Sequence, residues 1–592
     1  MRRTKIVCTI GPVSRSREKI EELVAAGMDV ARLNFSHGTH TEHLEVIETI
    51  KAVRTKLDRP LGIMLDTKGP EIRVGTLPEE GVSFRKGERL VLVKKREHPH
   101  EIPVHPFEAL ETVPEGSSIL FDDGIIPAHV VGKTKRGIEI EMQTASVLTS
   151  RRGVNVPGWT LVIDMLTGDD VRDLEFGFKH GIDMIAASFV NSPEHVLKIK
   201  KMAKEHGMPR VMVIAKIETK RAVESFDAIL QVADGIMVAR GDLGVEMPLA
   251  KLPILQKKMI RACNKAAKPV ITATQMLESM IYSTRPTRAE ASDVANAIFD
   301  GTSAVMLSGE TAAGKYPIQA VSMMDMIVQE AEREFDYIGF FEKSQKYSTH
   351  DIPSSIALAA VELSYSSEAA SIVVCTNAGQ TIRWIAKYRP KSLVVAYTPS
   401  ELTYNQSSLF WGTVAVMEKA GSRELDFISL SKVMLRKKWA SYGDVVVMTS
   451  GRPYGKSFST NTLTVDSIGQ FLVRAKPMES GPETVSGETT LYNEIDSDTA
   501  KELNDAIVIV TEFNEAMMTL CKKAKAVVLE NHPLDVVSIT ALETFSEKYG
   551  VPYLFDADGA ASLIGGSRRI RIQFRLGLIF DARSPAEEEL LQ

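Results

Sequence analysis

Cysteine is scarce in this chain. There are only four, Cys8, Cys263, Cys375 and Cys521, and no two stand at C-x-x-C spacing. A disulfide framework and a cysteine-built zinc site are therefore both excluded as organising features, and a reducing cytoplasm is the expected setting. Long apolar runs are absent too. Nowhere do about eighteen consecutive apolar residues occur, and the opening MRRTKIVCTIGP has basic residues but no apolar core, so neither export nor membrane insertion is expected. Charge of one sign is missing as well. The 71 basic and 76 acidic residues give a net charge of -5, which leaves no global attraction for nucleic acid or an anionic membrane. Local charge clusters must then be sites. With 592 residues, 44% of them hydrophobic, the chain exceeds one core and should form three or four domains.

Against those absences stands a repeated pattern. Short apolar runs at 5–9, 30–33, 61–65, 183–188, 211–215, 235–239, 269–273 and 304–307 alternate with helix-length segments such as 16–26 and 252–267. Eight such strands make a parallel barrel, whose active site lies just past the carboxyl ends of the strands. Chemistry-bearing residues stand there repeatedly. Arg32, Asn34, Ser36 and His37 follow the second run, and Asp66, Thr67, Glu71 and Arg73 the third. Lys216 and Glu218 close the fifth, Arg240, Gly241 and Asp242 the sixth, Thr274 the seventh, Ser308 and Glu310 the last. Carboxylates beside a lysine suggest a hard divalent cation holding an anionic substrate. Plainer readings compete: surface ion pairs at strand ends, and Ser36 as the N-cap of a helix starting near Thr41.

From Pro70 to about Asn155 the barrel rhythm gives way to β-type runs, which reads as an inserted all-β lid hinged at GPE and RRGVNVPG. From Ile352 a separate α/β unit is expected, with strands at 371–375, 393–397 and 444–449. The stretch 476–498 reads as a linker, followed by strand-like runs at 506–510, 526–529 and 551–554 with a helix between the last two. The expected domains are 1–69 with 155–340, 70–154, 341–475 and 476–592.

The strings ARLNFSHG, DTKGPEIR, GVNVPG, IAKIE, MVARGDLGVE, ITATQML, RPTRAEASDVANAIFDGTSAVMLSGETAAGKYP and AKYRP together resemble the pyruvate kinase family, over nearly all of the first 470 residues. The resemblance implies an α/β protein: a (β/α)8 barrel, an inserted all-β lid, an α/β regulatory domain and a homotetramer. It implies phosphoryl transfer from phosphoenolpyruvate to ADP, giving pyruvate and ATP. By the same resemblance Glu218 and Asp242 bind magnesium or manganese. Asn34, Ser36, Asp66 and the Thr67 carbonyl bind potassium, and Glu71 marks the potassium-dependent form. Arg32 would take the transferring phosphoryl, and Asn34, His37, Arg73 and Arg152 the nucleotide.

Lys216 would stabilise both the phosphoryl in flight and the enolate, since preorganised charge is the largest catalytic term. Thr274 lies where the enol gains its proton, through water or Ser308, and the Gly241 and Asp242 backbone would hold the substrate carboxylate. Thr376, Asn377, Gly379 and Thr381, with Lys456, Ser459 and Thr460 facing them, would bind a phosphorylated effector. The plainer alternative there is a helix cap at Thr381.

Three positions depart from the family pattern: Arg151 and Arg152 in place of a lysine, Val162 to Met165 in place of Leu-Pro, and Ala378 in place of a serine. The extension from Asp498 resembles the extra domain of certain bacillary members, itself similar to a swivelling phosphohistidine carrier. Asp535, Val536 and Val537 fall where the carrier's Thr-Ser-His belongs, and His532 reads as a surface histidine. Two other functions remain open from sequence: a metal-dependent pyruvate-enolate lyase, and a catalytically silent metabolite sensor.

Overall fold

The computed structural model describes residues 1–582 except 123, 160–164, 350, 419–426, 442, 452–459, 470, 479–480, 492–502 and 531–534. The chain divides into two compact units. One comprises 1–362, 372–423 and 449–463, the other 363–371, 424–448 and 464–592.

Eight strands close the first unit's barrel: β1 Lys5–Ile10, β2 Val30–Asn34, β3 Gly62–Asp66, β4 Met184–Ala187, β5 Met212–Ile217, β6 Gly235–Ala239, β7 Val270–Ala273 and β8 Ala304–Leu307. All neighbours run parallel, and β8 returns to β1. Both faces of such strands are buried, which is why each reads as a continuous apolar run and not as an alternation. β4 through β8 are buried throughout. Barrel and surrounding helices share one apolar core, with Ile6, Ile63, Val213 and Val305 fully buried in it.

Helix starts follow local chemistry. The helix His40–Leu57 begins at Thr39, whose hydroxyl accepts from the Glu42 amide while the Glu42 carboxylate accepts from the Thr39 amide, a capping box. This corrects the reading of Ser36 as the cap. Thr39 is the Ser/Thr with Glu three residues on, and Ser36 lacks that partner.

The insertion closes into its own seven-stranded barrel, ordered Ile138–Met142, Arg89–Val93, Glu101–His105, Ile72–Val74, Gly153–Asn155, Ser118–Phe121, Ile126–Lys133. Its core, including Leu90, Ile102, Phe121 and Ile140, is separate from that of the parallel barrel. The two chain crossings are themselves paired: Ile72–Val74 lies antiparallel to Gly153–Asn155, with Arg73 opposite Gly153. Of the departures noted after GVNVPG, Val162, Ile163 and Asp164 fall outside the described residues, and Met165 is exposed.

Beyond the barrel, strands form at Ser371–Cys375, Leu393–Thr398 and Val445–Gly451 as expected. A further one, Thr413–Met417, pairs parallel with Leu393–Thr398 and was not read from sequence.

The second unit holds a seven-stranded mixed sheet: Val473–Arg474, Leu578–Asp581, Arg569–Gln573, Thr484–Leu491, Ile507–Val510, Ala526–Leu529, Tyr553–Leu554. Thr484–Leu491 overturns the linker reading of 476–498. It alternates small polar residues, so composition looked unstructured, yet it pairs antiparallel with Arg569–Gln573 and parallel with Ile507–Val510. Ile507 and Ile509 enter one core and Val508 and Val510 another, as the two-residue period of a strand covered on both faces requires.

Candidate active site

The barrel registers bring the predicted strand-end residues together. Asn34 stands opposite Asp66 across β2 and β3, and Ala187, the residue before Ser188, opposite Ala215, the residue before Lys216. Around the Lys216 ammonium the result is a compact buried network. Nζ lies 3.1 Å from Asp66 Oδ1 and 2.9 Å from Glu218 Oε1, and donates to Ser188 Oγ at 2.7 Å. Arg32 completes it, with Nε 2.5 Å from Asp66 Oδ2 and Nη1 donating to Thr9 Oγ1 at 2.9 Å. Lys216 is 11% exposed, Asp66 and Glu218 1%.

Ion pairs this dry persist only when hydrogen bonds satisfy the remaining atoms, and here they do. Ser188 Oγ donates to the Thr67 carbonyl at 2.6 Å, the Ser188 amide donates to Thr67 Oγ1 at 3.0 Å, and the Phe189 amide donates to Glu218 Oε2 at 2.6 Å. Burial opposes charge on Lys216, but Asp66 and Glu218 outweigh it and raise its pKa, so it is an ammonium at any working pH. Burial also works against the Asp66 charge, yet Arg32 and Lys216 hold its carboxyl below the usual range. Glu218 goes the other way. Burial pushes it up to about 7 against the pull of Lys216, and Asp242 nearby adds to the rise.

Across the rim, the Gly241 amide donates to Thr274 Oγ1 at 2.8 Å, and that hydroxyl donates to the Ala273 carbonyl at 2.6 Å. The relay imagined between Thr274 and Ser308 has no direct hydrogen bond, since the Ser308 hydroxyl is buried and without a partner among the described residues. Glu310 instead organises this end of the rim, accepting from the Ser308 amide at 2.7 Å and the Leu277 amide at 3.1 Å.

A cleft of about 400 Å³ opens between the rim and the crossings to the inserted barrel, lined by Glu71, Arg73, Arg152, Thr219 and Asp242 among others, and not by Asn34 or His37. Arg73 Nε donates to Glu71 Oε2 at 2.6 Å and Nη1 to the Arg151 carbonyl at 3.0 Å. Arg152 Nη1 donates to Asp122 Oδ1 at 2.9 Å. Ser36 sits beside Asn34, its amide donating to Asn34 Oδ1 at 3.2 Å, while His37 is exposed.

In the loop after the strand Ser371–Cys375, the helix Gln380–Ala386 is capped by Gly379, at φ 75°, not by Thr381. The left-handed turn there is what glycine permits. Thr376 Oγ1 accepts from the Gly379 amide at 3.0 Å, and the Thr381 and Thr460 hydroxyls lie 2.7 Å apart. Arg210 donates to the Asn377 carbonyl at 3.1 Å. Lys456 and Ser459 lie outside the described residues, as does His532. Asp535 caps the helix Val536–Tyr549, its carboxylate accepting from the Ser538 amide, and Val536 and Val537 are 66% and 80% exposed.

Sequence reasoning missed Ser188, the hydroxyl joining Lys216, Asp66 and Thr67. Its signal was its place at the end of the fourth strand, when six of the other seven strands had already yielded polar residues.

Two family models match the chain, "Pyruvate kinase, barrel domain" over residues 1–321 and "Pyruvate kinase, alpha/beta domain" over 354–465. Among curated proteins, the pyruvate kinases of Staphylococcus aureus strains USA300 and MRSA252 are each 38% identical to it over 588 residues, covering 98% of this chain and 99% of theirs.

Proposed function

The chain belongs to the pyruvate kinase family, phosphotransferases that move the phosphoryl group of phosphoenolpyruvate to ADP, and from that premise we propose how its barrel rim divides the work. The observation that carries the assignment is the Lys216 ammonium, fixed among Asp66, Ser188 and Glu218 at the carboxyl ends of parallel strands. Phosphoryl transfer asks for positioning and for neutralisation of spread negative charge, and involves little covalent chemistry by the protein. A buried, preoriented ammonium answers the second need, both for the phosphoryl in flight and for the enolate oxygen left behind. Arg32, tied to Asp66 and Thr9, presents its guanidinium from the adjoining strand to the transferring phosphoryl.

The family's need for a divalent cation and potassium fits the residues present. Glu218 and Asp242 would hold magnesium or manganese, Glu218 from beside the Lys216 ammonium and Asp242 from the wall of the cleft. When bound, that ion neutralises substrate phosphate and enolate oxygens. Asn34, Ser36, Asp66 and the Thr67 carbonyl would hold potassium, with Glu71 where an internal cation would make the ion unnecessary. Arg73 and Arg152, facing one cleft, would take the nucleotide phosphates together with Asn34 and His37. The Gly241 and Asp242 backbone would take the substrate carboxylate, and Thr274, directly or through water, the enol proton.

The same reading assigns 70–154 as a lid, and 341–475 as the seat of a phosphorylated effector bound by Thr376, Asn377, Gly379, Thr381 and Thr460 with Lys456 and Ser459. The extension is read as a carrier-like domain without the acceptor histidine. A cytoplasmic homotetramer completes it. The assay for pyruvate formed from phosphoenolpyruvate and ADP, with magnesium and with or without potassium, tests the reading. Lys216→Met should lose turnover, and retention of near-normal turnover would remove Lys216 from the mechanism.

A further inference from the structure

Thr274 and Gln275 are consecutive residues in the left-handed region, at φ 64° and 54°. Neither is glycine and the first is β-branched, so the turn is strained and persists only where its surroundings over-determine it. The surroundings are largely one side chain. Arg240, the first residue of the helix that follows β6, is 12% exposed. Its Nε donates to the Ala273 carbonyl at 3.2 Å, and its Nη2 to the Thr274 carbonyl at 2.7 Å and the Gln275 carbonyl at 3.4 Å, with Met276 Sδ also in contact. Three successive carbonyls that bracket the strained pair are thus held by one planar fork. Asp293 Oδ2, 2.5 Å from Nη1, fixes the fork, with Gln256 Oε1 at 3.4 Å. The next residue grips the same threonine from its other end, through the Gly241 amide and Thr274 Oγ1.

We propose that Arg240 is a positioning residue for enol protonation, holding the Thr274–Gln275 turn in its left-handed form and so aiming the Thr274 hydroxyl. The proposal rests on the reading of Thr274 as the place where the enol gains its proton. In that step the methylene carbon of the enolate forms a C–H bond and its C–O becomes a carbonyl. The proton leaves the Thr274 hydroxyl or a water bound to it, and solvent replaces it. Arg240 touches none of the reacting atoms. A lysine could keep the charge opposite Asp293 but has no fork to span three carbonyls.

The test uses the full chain with magnesium and potassium, and follows exchange of pyruvate methyl hydrogens with deuterium by NMR. Phosphoenolpyruvate KM and manganese affinity are measured on the same samples. Arg240→Met should slow exchange at least about tenfold and leave KM and manganese affinity within about twofold. Arg240→Lys, which retains the pair with Asp293 and so guards against simple unfolding, should be slowed in the same way. Thr274→Ala should be slow, and Arg240→Met added to it should slow exchange no further, because both act through one hydroxyl. Parental exchange in Arg240→Met or Arg240→Lys, or a double variant slowed by the product of the singles, overturns the proposal. Parental exchange in Thr274→Ala instead overturns the reading of Thr274 on which it rests.

Discussion

Replacing Lys216 by methionine removes one charge from a site that holds four others, Asp66, Glu218, Asp242 and Arg32, so its consequences can be followed group by group. Asp66 retains Arg32 at 2.5 Å and Ser188 at 3.2 Å, and is still compensated. Glu218 retains only the Phe189 amide, at 2.6 Å, and faces Asp242 with no cation beside it. Removing one partner of a buried pair costs about 3–5 kcal/mol while the other charge stays buried, and Glu218, which burial already raises, lowers that cost at neutral pH by taking up a proton. The variant should therefore melt below the parent in chelator, and recover a good part of the difference in magnesium or manganese, which supplies Glu218 with a new counter-charge. Turnover should not recover. The ammonium's work is on charge that develops in the transition state, and loss of one such group costs on the order of 100- to 1,000-fold in kcat. Three measurements decide it: melting with chelator and with metal, manganese binding, and the pyruvate assay. A Lys216→Met protein that melts like the parent without metal would mean that Glu218 does not depend on Lys216. One that turns over within tenfold of the parent would mean that catalysis does not.

Potassium should activate strongly, given Glu71 and the Asn34, Ser36, Asp66 and Thr67 group, and equal rates in potassium and tetramethylammonium would refute that site. Burial pushes the His195 imidazole down to about 4, against the opposing pull of Asp170. The unfolded chain therefore binds this proton more tightly. The neutral histidine's contribution is whole above about pH 6.5 and is lost as pH falls toward 4, amounting to about 2 kcal/mol between pH 7 and pH 5. His195→Gln should flatten that part of the stability profile, and an unchanged slope would show that His195 does not supply it. Incubation with phosphoenolpyruvate, read by mass spectrometry at neutral or alkaline pH, should leave His532 without a phosphoryl group, and an adduct there would make the extension a carrier after all.

The eight barrel strands were legible because strands buried on both faces must be apolar along their length, and Gly235–Ala239 or Ala304–Leu307 have no other use for such runs. The site residues were legible for a related reason. Barrel topology delivers every strand's end to one rim, so Lys216, Glu218 and Asp66 could be grouped without knowing a distance. Thr484–Leu491 escaped because its side chains are small and polar and its place is settled by hydrogen bonds to strands far along the chain, which no local pattern records. Ser188 escaped, and Arg240 was named at its strand end without a role, for another reason. Their importance lies in which oxygen each meets, Thr67 and Asp66 for the serine, three consecutive carbonyls for the arginine, and such pairings exist only once the strands are in register.

The paired crossings of the inserted barrel carry a mechanical consequence. Two separate tethers would let the insertion swing and twist independently about each, whereas Ile72–Val74 and Gly153–Asn155, joined by ladder hydrogen bonds, form a single ribbon that bends about one axis. Arg73 is part of that ribbon, and its guanidinium donates to the Arg151 carbonyl in the turn that leads into the opposite strand. On the reading proposed for Arg73, a nucleotide phosphate pulling on it would act on both strands at once. By the same coupling, fixing the angle of the ribbon would fix how tightly that phosphate is held.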